Sequence, residues 1–134
     1  NQEVVWVGGL GMGYITKYGF TLTASTTQVP ILFTTDENGT WLNADQGIST
    51  FGEGGFYDVV VMPNGELTAC GLFAQGTVSF DGNTNTAQNL MLLVARYNRT
   101  TGWQWLASGE TSAAIGCSAD GYSVDVSGVY LISI

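Results

Sequence analysis

The stretch FYDVVVMPNGELTACGLF, Phe56–Phe73, decides how this chain is to be read. A run of β-branched and aromatic residues meets Pro63-Asn64-Gly65, and a second apolar run follows at once. Valine, phenylalanine and tyrosine suit a pleated, half-buried surface, and Asn-Gly supplies the backbone angles of a tight turn. The passage predicts two antiparallel strands joined by a hairpin.

The same alternation of short β segments and turn residues runs outward in both directions. Strands are predicted at Glu3–Val7, Gly19–Ala24, Val29–Thr34, Phe56–Met62, Glu66–Phe73, Thr77–Phe80, Leu90–Tyr97, Trp103–Ala107, Ser112–Cys117, Tyr122–Val126 and Val129–Ile134. Between them stand Glu37-Asn38-Gly39, Asp81-Gly82-Asn83, Thr100-Thr101-Gly102, Asp120-Gly121 and Ser127-Gly128, all turn formers. This spacing predicts an all-β protein, a two-sheet antiparallel jelly-roll sandwich. The segment TNTAQNLMLLVARYN, residues 84–98, has a continuous apolar run, so periodicity does not separate a buried strand from a buried helix. Its neighbours are strands, and it is read as one.

VVWVGGLGMGYITKYG, Val4–Gly19, looks at first like a strand feeding a phosphate-binding loop. Its glycines fail the dinucleotide spacing: the positions that should complete the pattern are Leu10, Tyr14 and Thr16. Lys17 sits in Thr-Lys-Tyr, which is no Walker loop, and the residues that follow read as strand. Without a helix no dipole faces a phosphate. Residues 1–18 are instead expected to be a Gly-rich lead-in segment outside the core, with the head domain at 19–134.

The composition narrows the function. In 134 residues the hydrophobic share is 45% and the charged share only 10%, well below the usual quarter. Eleven acids face three bases, Lys17, Arg96 and Arg99, for a net charge of −8. Phosphate neutralisation needs basic clusters, so nucleic acid is excluded as a partner and an anionic membrane disfavoured. The run Leu90–Ala95 is too short to insert in a bilayer. No charged, cleavable leader opens the chain, which is read as a mature or excised piece. The two cysteines, Cys70 and Cys117, lie in strand-like stretches; a disulfide and two buried thiols both remain open.

There is no histidine, which removes the usual general base and most catalytic zinc sites. The nearest acid pairs, Asp36/Glu37 and Glu53/Asp58, read as turn and strand-flank acids. Asp81-Gly82-Asn83-Thr84-Asn85 resembles the start of a calcium loop, but Thr86 stands where Gly is needed and Leu92 where Glu is needed, so it reads as a polar turn. The sequons at Asn38 and Asn98 carry no argument in an Asn- and Thr-rich chain. No enzyme activity, cofactor or metal is expected.

ISTFGEGGFYDVVVM, Ile48–Met62, resembles the core strand of tumour-necrosis-factor-like and complement-head jelly rolls, in which an aromatic leads into Gly-x-Tyr. Phe51, Gly55 and Tyr57 fall in that order and spacing, and Ser127-Gly128 with Tyr130, Leu131 and Ile132 resembles the last strand. Glu53-Gly54 replaces the usual proline turn. The resemblance implies a homotrimer about a threefold axis, with Tyr57, Tyr130 and Ile132 at the interface, as in heads that cap spikes of bacterial viruses and other surface filaments. Sixteen aromatics on a weakly charged chain give such an interface apolar surface to cover.

The function expected is therefore a non-catalytic spike or fibre head, at a virion surface or extracellular, that trimerises and recognises a host-surface receptor, protein or glycan. Trp41, Trp103, Trp105 and Asn83 are the candidate ligand-binding residues. Trp103-Gln104-Trp105 places two indoles at period two, either exposed for stacking on sugar or buried as core. The alternatives are a monomeric carbohydrate-binding module and a purely structural capsid or tail protein.

Overall fold

The computed structural model describes residues 2–25, 27–110, 122–125 and 128–131, with only the backbone given for Glu110 and the two C-terminal stretches. Its strands are β1 (Val4–Leu10), β2 (Gly13–Lys17), β3 (Phe20–Ala24), β4 (Val29–Thr35), β5 (Trp41–Gln46), β6 (Ile48–Val61), β7 (Leu67–Phe80), β8 (Asn83–Asn98), β9 (Gly102–Glu110), β10 (Tyr122–Asp125) and β11 (Gly128–Leu131). All pairings are antiparallel, and no helix occurs among the described residues.

The Asn64-Gly65 hairpin forms as the sequence predicts. The Gly65 amide donates to the Met62 carbonyl at 2.8 Å, and the Met62 amide donates to the Glu66 carbonyl at 2.8 Å. Gly65 sits at φ +84°, a left-handed angle that glycine adopts without steric cost. Asp81-Gly82 closes a two-residue turn between Phe80 and Asn83, with both φ angles positive. Residues 83–98 are strand, settling the ambiguity of that segment.

β6, β7, β8 and β9 form one meander, and β1, β4 and β5 form a second sheet. β1 pairs with β4 and β2 with β3, so the chain runs out along β1 and β2 and returns along β3 and β4. Where a lead-in segment outside the core was expected, β1 is the edge strand of the second sheet, and Val5 and Val7 pack on the main core. β5 was not foreseen, because WLNADQ lacks a β-branched run.

Two of the predicted strands, Glu66–Phe73 and Thr77–Phe80, are a single strand with a bulge at Gln75. Inward-facing residues run Leu67, Ala69, Phe73 before it and Val78, Phe80 after it, so the bulge shifts the period-two pattern by one residue. β6 carries irregularities at the same level, between Ser49 and Glu53. The bulges bend the meander over on itself. Asn83 and Tyr97 would be on the order of 45 Å apart on a straight strand. Yet the Phe80 ring lies 4.7 Å from Trp103, and Trp103 packs 4.9 Å from Tyr97. The Asp81 carboxylate also accepts the Trp103 amide at 2.8 Å. Strands that turn a corner through bulges are how one sheet supplies two layers of a core.

The core cluster inside this bend holds Phe56, Phe73, Phe80, Met91, Leu93, Tyr97 and Trp103, with Leu32 of β4 closing it from the second sheet. A smaller cluster, Leu22, Ala24, Val29 and Ile31, lies on the other face of that sheet against Phe33 and Trp41. At one end the sheets are pinned by Arg99. Its guanidinium meets the Glu3 carboxylate through two contacts of 2.6 and 2.8 Å, donates to the Gly65 carbonyl, and its own carbonyl accepts from Asn43 at 3.1 Å. Burial pushes the Glu3 carboxyl up, but the hydrogen bond and charge of Arg99 outweigh it and leave the carboxyl below its ordinary value.

Arg99→Ala should lower the unfolding free energy by about 1–2 kcal/mol, since it removes a paired and only partly screened charge. Gly76→Ala should be worse, about 3 kcal/mol or more, because its Cβ would land on the Phe51 carbonyl. Chemical denaturation checks both, and equal, negligible effects would refute this account of the bend.

Candidate functional site

The line along which the meander bends is also where the surface opens. A groove of about 400 Å³ is lined by Thr50 and Phe51 of β6, Gln75, Gly76 and Thr77 of β7, and Thr86, Ala87 and Gln88 of β8. These are the bulge residues and their immediate partners. Because one residue of β7 opposes two of β8 here, the side chains splay instead of closing over one another.

Phe51 stands at the lip with 67% of its surface exposed. Its backbone and the glycines that follow it are held by hydrogen bonds. The Ser49 hydroxyl donates to the Phe51 carbonyl at 2.6 Å and accepts from the Phe51 amide at 3.2 Å. Thr27 donates to the Gly52 carbonyl, and the Gly54 amide donates to the Gln28 carbonyl at 2.9 Å. An exposed ring on a fixed backbone is a pre-formed contact. Across the groove Thr77 and Thr86 share a hydroxyl–hydroxyl hydrogen bond of 2.8 Å. Gln75 adopts φ +49°, a left-handed angle unusual for a residue with a side chain. Of the eight lining residues, none carries a charge or titrates near neutral pH. A smaller groove of about 160 Å³ lies against the same ring, lined by Thr27, Gly52, Glu53, Ala74 and again Gln75.

A further groove of about 390 Å³ brings together Asp45 and Asp81, acids far apart in sequence that no sequence pairing suggested. Burial pushes the Asp45 carboxyl up; the Gln46 amide, donating at 2.8 Å, opposes this, and the Asp81 charge adds to it. Both carboxylates are engaged by backbone amides, Asp81 by that of Trp103. Among the described residues no group of three or more Cys, Asp or Glu is placed to hold a metal ion.

The candidate residues read from sequence do not converge. Trp103 is 4% exposed and belongs to the core, which corrects its assignment as a ligand contact. Trp105 does not share its face: a bulge between Arg96 and Tyr97 pairs Trp103 with Tyr97 and Trp105 with Arg96, on opposite sides of the sheet. Arg96 lies over the half-buried Trp105 ring at 5.6 Å from its centroid. Trp41, a candidate ligand contact, is half-buried. Its face is taken by Phe33 at 4.4 Å, and Phe33 in turn stacks on Trp6 at 5.9 Å. Asn83 is exposed at the start of β8, where its side-chain Nδ2 donates to the Phe80 carbonyl at 3.2 Å. Tyr57 is a bulge residue, 60% exposed. Tyr130 pairs with Ser123 in the β10–β11 hairpin, and Ile132 lies outside the described residues. So does Cys117. Cys70 is buried and free, its thiol pushed up to about 11 by burial and the Asp58 charge.

Phe51, Gln75 and Gln88 were not singled out as ligand contacts. Phe51 entered only as part of the resemblance, and the remaining signal was the pair of glycines, Gly52 and Gly76, beside them. No family model matches the chain, and no curated protein or solved structure matches it significantly.

The raised Asp45 carboxyl has a measurable consequence. The folded chain binds this proton more tightly than the unfolded chain, so the wild type loses stability as pH rises through the folded-state value. Asp45→Asn lacks that loss. The Tm of the variant minus that of the wild type should therefore increase between about pH 3 and pH 7. A difference that shrinks with rising pH would show that Asp45 is not so perturbed.

Proposed function

We propose that this protein is a non-catalytic head of a virion spike, fibre or comparable surface filament, that it assembles as a homotrimer, and that it recognises an external surface ligand in the groove beside Phe51. The observation that carries the reading is the groove itself: an exposed aromatic on a fixed backbone, set among amides and hydroxyls without a titratable group. Such a lining offers a ligand shape and hydrogen bonds, and offers a reaction no proton donor or acceptor.

Assembly is supported by surface that one chain leaves uncovered. Met12 and Tyr14 on the β2 arm are each 76% exposed, with Tyr18 at its tip, and Tyr57 and Val61 are exposed along β6, the edge of the large sheet. Exposed apolar groups of this size favour association. The jelly-roll reading of the head belongs to the same proposal. It draws on the two packed antiparallel layers, while β6–β9 join nearest neighbours and supply no crossover between layers.

Sedimentation at micromolar concentration should give one species of three chains' mass; a single species at 14.2 kDa would reject the trimer. Fluorescently labelled protein should bind a subset of a panel of intact bacteria, and Phe51→Ala should abolish that binding without moving the Tm.

A further inference from the structure

We propose that the ligand of the Phe51 groove is a neutral oligosaccharide, one sugar ring stacking on Phe51 and its hydroxyls bonding to Gln75, Thr77 and Thr86. This rests on the recognition reading above and adds the chemical class of what is recognised.

Three features of the site lead there. The first is the match of bonding groups. Sugar hydroxyls each donate and accept, and the groove presents carboxamides and hydroxyls, which do both. The larger groove carries no charge and the smaller adds only the Glu53 carboxylate, so sialylated or sulfated glycans find no counter-ion, and the chain's net charge of −8 repels them further. The second is the ring. A phenyl face is electron-rich, and the C–H-bearing face of a pyranose supplies the complementary positive edge. Phe51 is the one lining residue able to give that contact; Ser49 holds its backbone in place, and Gly76 lets the strands approach closely there. The third is the arrangement of the two grooves. They flank Phe51, and Gln75 lines both. A ligand longer than one ring can cross the phenyl group and occupy both sides, with the Gln75 amide bonding at the crossing.

Gln75 supports this independently. Glycine or asparagine is the inexpensive choice at φ +49°, and the next residue is glycine. A glutamine kept in a left-handed conformation, at the lip of a groove, is strain retained where its side chain is needed.

The test uses the full chain on a printed array of neutral, sialylated and sulfated glycans, followed by calorimetric titration of the best neutral one. Neutral glycans should bind and charged ones should not. Phe51→Ala should weaken affinity about tenfold or more, and Phe51→Tyr should retain it. Gln75→Gly should raise the Tm, by relieving the backbone, while weakening the glycan. A purely structural Gln75 would change the Tm alone, and that result overturns its role as a contact. Binding confined to charged glycans, or neutral binding indifferent to Phe51→Ala, overturns the proposal. If no glycan binds but intact bacteria still do, with loss in Phe51→Ala, the ligand is not a saccharide and the recognition reading stands. If neither binds, both fail.

Discussion

Four aromatic rings meet inside the bend of the large sheet: Phe56 from β6, Phe80 from β7, Tyr97 from β8 and Trp103 from β9. Trp103 is the hub, within 4.7 to 5.7 Å of the other three. Rings from the two ends of the same long strands can meet only if those strands fold over. Burial of these side chains, each worth a few kcal/mol, is what the bend gains. The Asp81 carboxylate on the Trp103 amide fixes the same approach from the turn. The second sheet then closes the core with Leu32, and Arg99 ties the loose end of β1 to the far turns.

The bend has a cost, and it falls at Phe51, Gly52, Gln75 and Gly76. Here the ladder of backbone hydrogen bonds is irregular, one residue of β7 sits at a left-handed φ, and inner and outer faces exchange. A corner of this kind leaves a gap on its surface, because side chains that would close over one another on a regular sheet diverge. The groove beside Phe51 is thus a by-product of the core's geometry, and its lining of Thr and Gln turns that by-product into a surface able to hold a ligand. Core and candidate site are two sides of one backbone event.

The aromatic residues illustrate how position separates packing from display. Two tryptophans two residues apart looked equivalent in sequence. A bulge opposite Arg96 and Tyr97 sends one into the core and leaves the other half-covered on the far face. Trp41 is held by Phe33, so the face that would have met a ligand is already stacked. Phe51, plain in sequence, is the ring whose neighbours fix its backbone and leave its side chain out.

Residues 84–98 could be read as strand only from their neighbours, whereas the all-β character and the Asn64-Gly65 and Asp81-Gly82 turns were legible in the sequence. They follow from local preferences: β-branched and aromatic runs, and glycine where φ must be positive. The location of the groove was not legible. It depends on where strands slip by one residue, and a slip is decided by which rings can reach each other across the core, a long-range contest that leaves no local mark beyond Gly52 and Gly76. Which aromatic is buried and which displayed was settled there too, because a single extra residue in a strand exchanges its faces.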